Sequence, residues 1–521
     1  MKTSTSSRRQ LLRQAAGAVG AVSALCAGTR PLAIRAFEPD GKPADSGHLQ
    51  TLMLTDQDGQ PYRLLPRVQP DGKAAIDFPS GRFEITMILP VREFGEVYLY
   101  ADNADALYEP NDAGEVLLNY EFARSRAAFV RRYVRAAQAE GVVFSSGVTE
   151  RLSRGEAAVA HASQAREIKP RVGYSNDSLA DTMWAGELAA AERARFHIAR
   201  KGPRSGFLFG CNAFKYGKSK RYVRRFRDCF NFATLPFYRA VVETVEGKPD
   251  YRAVEAILDQ MAGSGILGKG HPLVWPHNAG IPEFLKKKSW RELQQSCREY
   301  ILGTVSRYRS HIHTWDVINE AHYLTDELRL DQEQMLELSR LSADTTRAAD
   351  PTAFRVVNAC CTWGEYAAAG GSDLAAGRQP MRTPFEYYKA LEDAGVQYDA
   401  IGLQLYNPAR DMLEIERQLE RFFAFGKPVH VTELGVPSTK PRSKDSAAEG
   451  LWHGSGWTPQ IQADWVAQFY TICYSKPQVQ AITWWDLADP AFIHDGGLLD
   501  AQFRPKEAYG RLHGLIASWR G

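Results

Sequence analysis

"HTWDVINEAH", residues 313–322, sets Asp316, Asn319 and Glu320 into a run of aromatic and β-branched residues. Such a run reads as a β-strand. A carboxylate buried without a partner is costly, so polar groups at this strand's end predict the rim of a cleft where they have chemistry to do. Working outward, seven more runs of the same kind follow or precede it. They are "FLFGCN" (207–212), "FNFATL" (230–235), "ILGKGHPLVW" (266–275), "RVVNACC" (355–361), "AIGLQL" (400–405), "PVHVTE" (428–433) and "AITWWD" (481–486).

Helical patterns lie between these runs, among them "YRAVEAILDQMAGSG" and "DQEQMLELSRLSADTTRAAD". Eight βα units predict an α/β fold, a closed (β/α)8 barrel over residues 205–521. An open doubly wound sheet is the alternative, but no GxGxxG or P-loop follows any strand.

In such a barrel the polar residues at strand C-termini are the ones to test. Strand four ends in Asn319 and Glu320, strand six carries Gln404 and then Tyr406, and strand seven ends in Glu433. Two glutamates facing each other across a barrel mouth suit the splitting of a glycosidic bond. One protonates the leaving oxygen while the other attacks the anomeric carbon, and environment separates their proton affinities. Position alone leaves a second reading open, that Glu320 and Glu433 only pair with barrel cations.

"WDVINEA" with the later "VTELG" resembles glycoside hydrolase family 10, the retaining endo-β-1,4-xylanases. "GHPLVW" (270–275), "GLQ" (402–404), "ITWWDLAD" (482–489) and "GLLDAQFRPKEAY" (497–509) add four pieces in the family's order. The resemblance implies Glu320 as acid/base, Glu433 as nucleophile and Asn319 as a hydrogen-bond partner of the sugar at the cleaved bond. It places His271, Gln404 and Trp485 along the same sugar site, with Trp275 as a supporting aromatic. Trp363, Trp484, Trp452 and Trp457 are candidates to extend the stacking platform; for the last two, loop packing is an equal reading.

The chain also departs from the family. "TLPFYRAV" (234–241) replaces the strand-two segment that supplies an asparagine and a lysine, and Arg239 is the candidate substitute. Tyr406 replaces the histidine that contacts the nucleophile; a phenol donates one hydrogen bond but carries no positive charge near neutrality. Pro276 follows Trp275 where a second histidine is usual, and His277 comes one place late. The expected substrate is a xylan-type polysaccharide. A β-glucan or decorated heteroxylan on the same mechanism, and a non-catalytic glycan-binding barrel, are the alternatives.

Upstream, Arg8 and Arg9 before a short apolar stretch read as a twin-arginine export signal over residues 1–36, with export to the periplasm or the outside. Residues 37–50 read as a linker and 51–118 as a small β-rich, sandwich-like module. Residues 119–204 read as a helical connection whose arginines form a solvated face. The module is read either as a carbohydrate binder or as a structural cap. The 64 basic residues against 61 acidic ones, a net +3, exclude charge-driven binding to nucleic acid or an anionic membrane. A monomer with no cofactor, no metal and no membrane association after signal removal is expected. The six cysteines beyond Cys26 lack metal-ligand spacing and read as buried thiols, and His311 and His313 as structural histidines.

Overall fold

The computed structural model describes residues 31–110, 114–322, 327–370, 379–406, 409–440, 452–454 and 456–520. The twin-arginine stretch, residues 1–30 of the expected signal, lies outside them. Seven short strands come first: β1 (Leu32–Arg35), β2 (Met53–Thr55), β3 (Arg67–Gln69), β4 (Lys73–Ile76), β5 (Glu84–Val91), β6 (Gly95–Ala101) and β7 (Glu115–Leu117). They form a four-stranded sheet in the order β3-β4-β1-β7 and a three-stranded sheet in the order β2-β5-β6.

The expected boundaries of signal and linker do not match this module. β1 falls within the stretch assigned to the signal, yet it pairs with both β4 and β7. The supposed linker packs: Ala44 and Leu49 are buried, and Asn119 bonds both backbone groups of Phe37. Short apolar residues among Pro, Gly and Asp carry no periodicity, so the sequence concealed this burial.

Three helices follow, α1 (Leu118–Ala139), α2 (Ser146–Gln164) and α3 (Ile168–Lys201). The sequence suggested the first and third; α2 is rich in Ala, Ser and Gly with a narrow apolar stripe. The arginines of α1 are not all solvated. Arg126 is buried and forms an ion pair with Asp411 of the barrel, Nη2 to Oδ2 2.6 Å.

The barrel strands are β8 (Leu208–Asn212), β9 (Phe232–Pro236), β10 (Leu267–His271), β11 (Ile312–Asn319), β12 (Phe354–Ala359), β13 (Ala400–Tyr406), β14 (Val429–Gly435) and β15 (Val479–Trp484). They run parallel and close on themselves, β15 pairing with β8. This is the (β/α)8 barrel that the spacing predicts. Several surrounding helices start at capping boxes, Ser289 with Glu292, Asp331 with Gln334 and Thr383 with Glu386; each satisfies amide groups that a helix start leaves bare. One apolar core runs from the N-terminal strands into the barrel.

Candidate active site

β11, β13 and β14 each carry a register shift next to their polar residues, between Asp316 and Ile318, Leu403 and Gln404, and Val431 and Leu434. Such irregularities re-aim side chains beside a site. Glu320 also takes a left-handed backbone, φ 57°, which costs a non-glycine residue energy and is tolerated where the surroundings hold it.

The two glutamates are joined by a polar chain. Gln404 Nε2 donates to Glu320 Oε1 at 2.9 Å and to Asn319 Oδ1 at 3.3 Å. Asn358 Nδ2 donates to the same Asn319 oxygen at 2.8 Å and to Glu433 Oε1 at 3.1 Å. Trp275 Nε1 holds the other Glu320 oxygen at 2.9 Å, and the Tyr406 hydroxyl holds Glu433 Oε2 at 3.0 Å. With Asn319 Oδ1 accepting from two amides, its Nδ2 is left as the donor end.

Burial pushes both carboxyls up. Glu433 rises from the ordinary 4.5 to about 8, through burial first and the neighbouring Glu320 charge second, and Glu320 is raised by burial against its hydrogen bonds. Each carboxylate disfavours ionisation of the other, so the two titration steps belong to the pair. Tyr406 and Tyr238 stay protonated because burial raises both phenols.

Asp316 is not at the rim. It lies inside the barrel, its Oδ2 2.8 Å from Lys269 Nζ and 2.6 Å from His271 Nδ1. Burial pushes its carboxyl up, but the Lys269 ammonium and His271 hold it below the ordinary range. Desolvation lowers His271, so the neutral ring gives its Nδ1 hydrogen to Asp316. Its Nε2, 3.8 Å from Glu433 Oε1, is then an acceptor.

The remaining expectations divide. Trp485, Phe214 and Tyr238 form an aromatic wall beside His271: Trp485 meets Phe214 at 5.2 Å and His271 at 5.4 Å, and Tyr238 meets His271 at 5.4 Å. Trp275 stacks on His277 at 4.4 Å. Arg239 does not replace the missing strand-two polar residues: it is buried, bonded to Glu243 Oε2 at 2.6 Å and Ser296 Oγ at 2.8 Å, and packed over Tyr300. Trp484 is fully buried, its Nε1 bonded to Gly496 O at 3.0 Å, and offers no sugar platform. Trp452 and Trp457 are buried and stacked on each other, which is loop packing.

Sequence reasoning missed Asn358, Tyr238, Lys269 and Asp486. Asn358 was visible as the polar residue near the C-terminal end of β12, after the apolar pair Val356 and Val357. Lys269 lies two residues before His271, hence on the same strand face. Asp486, raised by burial, accepts from Asn212 Nδ2 at 2.5 Å and Phe492 N at 2.7 Å. Among the described residues the one cluster with metal-ligand geometry is Glu38, Asp45 and His48, outside the barrel.

A cavity of ≈ 570 Å³ lies away from the glutamates, between β6, α1 and the helix Met412–Phe423. Guanidiniums cover its aromatic rings, Arg417 over Tyr100 and Phe129 and Arg193 over Tyr133. It is a joint between module and barrel, and neither Glu320 nor Glu433 lines it.

Residues 237–514 match the sequence model of Glycosyl hydrolase family 10, more than half of the chain. Endo-1,4-beta-xylanase B of Thermotoga neapolitana is 24% identical over 353 residues, 63% of this chain and 90% of that protein. An endo-1,4-beta-xylanase/feruloyl esterase of Xylanibacter ruminicola is 25% identical over 278 residues; the match covers 47% of this chain and only 35% of that longer protein. Among solved structures, native xylanase 10B of Thermotoga maritima aligns with 60% of this chain and 95% of its own at 20% identity and a TM-score of 0.47.

Proposed function

Because the chain belongs to glycosyl hydrolase family 10, we propose that this glycoside hydrolase cleaves internal β-1,4-xylosidic bonds of a xylan-type polysaccharide with retention, through Glu320 and Glu433. Glu320, protonated, gives its proton to the glycosidic oxygen as Glu433, ionised, attacks the anomeric carbon. The C–O bond breaks and a glycosyl ester of Glu433 forms. Glu320, now a carboxylate, takes a proton from water as that water attacks the same carbon and frees Glu433.

The observation that carries this reading is the polar chain Glu320–Gln404–Asn319–Asn358–Glu433, whose donors hold both carboxylates at one barrel mouth. Tyr406 and Asn358 supply Glu433 with donors that favour its anion. The reaction needs the proton on Glu320 and the charge on Glu433. The aromatic wall of Trp485, Phe214 and Tyr238 supports sugar stacking, and His271 Nε2 suits a sugar hydroxyl as its donor.

Leu235 of strand two and Tyr238 just beyond it stand in place of polar sugar-reading groups, which favours a second substrate, a β-1,4-glucan, on the same chemistry. Release of reducing ends from xylan and from mixed-linkage glucan separates the two. The expected outcome is faster release from xylan, abolished by Glu433→Ala. Preference for the glucan transfers the reading to that substrate, and undiminished release by Glu433→Ala removes Glu433 as nucleophile. The Arg8-Arg9 stretch supports export, checked by whether a reporter fused to residues 1–36 leaves the cytoplasm. A monomer is the expected state, checked by light scattering.

A further inference from the structure

Arg410 follows β13 and is almost fully buried, 2% exposed. Its guanidinium is clamped between two rings, 4.6 Å from Tyr98 of β6 and 4.6 Å from Trp363 of the barrel. Its Nε donates to the Tyr100 hydroxyl at 2.8 Å, and its Nη2 to Glu365 Oε1 at 2.8 Å. Beside it, the amide of Tyr98 donates to Ala409 O at 2.8 Å, so the N-terminal sheet is bonded to the segment that leaves β13.

The contacts continue into the cleft. Trp363 Nε1 donates to the backbone oxygen of Tyr406 at 3.2 Å, and the preceding Thr362 Oγ1 donates to that of Gln404 at 2.8 Å. These are the residues of β13 that touch the two glutamates, Tyr406 holding Glu433 and Gln404 holding Glu320. One rigid side chain thus ties β6 to the pair that grips both carboxylates. Arginine suits this place because its planar fork stacks on aromatic faces and bonds in fixed directions, which lysine does not.

We propose that Arg410 is a positioning residue for the hydrolysis, fixing Trp363 and through it the Tyr406 hydroxyl against Glu433, which makes the N-terminal module a working part of the catalytic unit. The inference rests on the reading of Glu433 as nucleophile. Glu433 is faced by Asp316 from β11 and Glu320 just beyond it, Lys269 and His271 from β10, Tyr238 beyond β9, Cys360 beyond β12 and Tyr406 from β13. Asp486, beyond β15, faces the same two phenols. Of these, Tyr406 is the one whose backbone Trp363 holds. A hydrogen bond to the ionised form favours it, so loosening Tyr406 raises the pH at which the pair gains its second proton.

The test is the pH profile of kcat/KM on soluble xylo-oligosaccharide, with full-length Arg410→Lys, Trp363→Phe, Tyr406→Phe and the control Arg63→Lys. Arg63 forms another module–barrel ion pair, with Glu386 at 2.8 Å, and touches none of these residues. Arg410→Lys and Trp363→Phe are expected to move the acidic limb upward by about half a pH unit, in the direction of Tyr406→Phe. They should lower kcat about tenfold with KM changed less than twofold. Arg63→Lys is expected to leave the limb in place, and Arg410→Lys/Tyr406→Phe to shift it no further than Tyr406→Phe alone. An unmoved limb in both Arg410→Lys and Trp363→Phe, additive shifts in the double variant, or an equal shift from Arg63→Lys overturns the proposal. Activity surviving in Glu433→Ala overturns the nucleophile reading instead, and an inactive Glu433→Ala with an unmoved limb removes only the role of Arg410.

Discussion

Asp316 and Glu320 sit four residues apart on and just beyond one strand, the first fully buried and the second partly so, and their carboxyls are shifted in opposite directions from the ordinary range. Asp316 has a cation, Lys269, and the ring of His271 as partners. Glu320 and its counterpart Glu433 have neutral donors, an indole, two amides and a phenol. Burial raises any carboxyl; neutral donors oppose that rise without cancelling it at Glu320 and Glu433, whereas the adjacent Lys269 charge together with His271 outweighs it at Asp316. The barrel interior therefore favours the ionised form of one carboxylate, and the mouth favours the protonated form of two others.

The comparison breaks most visibly at the mouth. Glu433→Ala should lower kcat by about four orders of magnitude or more, read as reducing-end release, while leaving the fold intact by circular dichroism. Glu320→Gln should cost about 10²- to 10⁴-fold, less for an aryl glycoside whose leaving group needs no proton, and should remove the alkaline limb of the pH profile. In the interior the cost is stability. Lys269→Met leaves Asp316 buried without its cation and should destabilise the protein by about 3–5 kcal/mol in a denaturant titration, with much of the loss recovered in Lys269→Met/Asp316→Asn.

The smallest effect sharpens the contrast through pH. Asp316, held low, contributes stability that is full above its ordinary 3.8 and is lost as pH falls through its lower folded value. Glu433 has the opposite sign. Raised from 4.5 to about 8, it keeps a proton that the unfolded chain has released, so stability declines as pH climbs through that window. Glu433→Gln should therefore melt higher than the wild type above pH 8, by about 2 °C in calorimetry, with the gap closing below pH 5.

The barrel was legible because each of its strands is a compact apolar or aromatic run bounded by turn residues, and the eight observed strands fall within a few residues of the expected ones. The cluster at the barrel mouth was legible at Asn319, Glu320, Gln404 and Tyr406, which the structure brings together, because polar residues at strand exits stand out against apolar runs. What failed depends on side-chain direction, which one-dimensional spacing does not encode. Arg239 turns into a buried ion pair with Glu243, Trp484 points into the core, and Asp316 finds Lys269 across a neighbouring strand. The segment 37–50 failed for another reason: Phe37 is held by Asn119 of α1 and the turn at Ser46–Leu49 packs on β3 and β5, contacts distant in sequence that no local pattern announces.

The central claim is that Glu433 forms a covalent bond with sugar. The direct measurement is mass spectrometry of the enzyme treated with an activated 2-deoxy-2-fluoro xylobioside, whose slow second step lets the ester accumulate. The account predicts a stoichiometric mass gain that maps, after proteolysis, to the peptide containing Glu433. A label on any other residue, or complete turnover with no adduct at all, contradicts it.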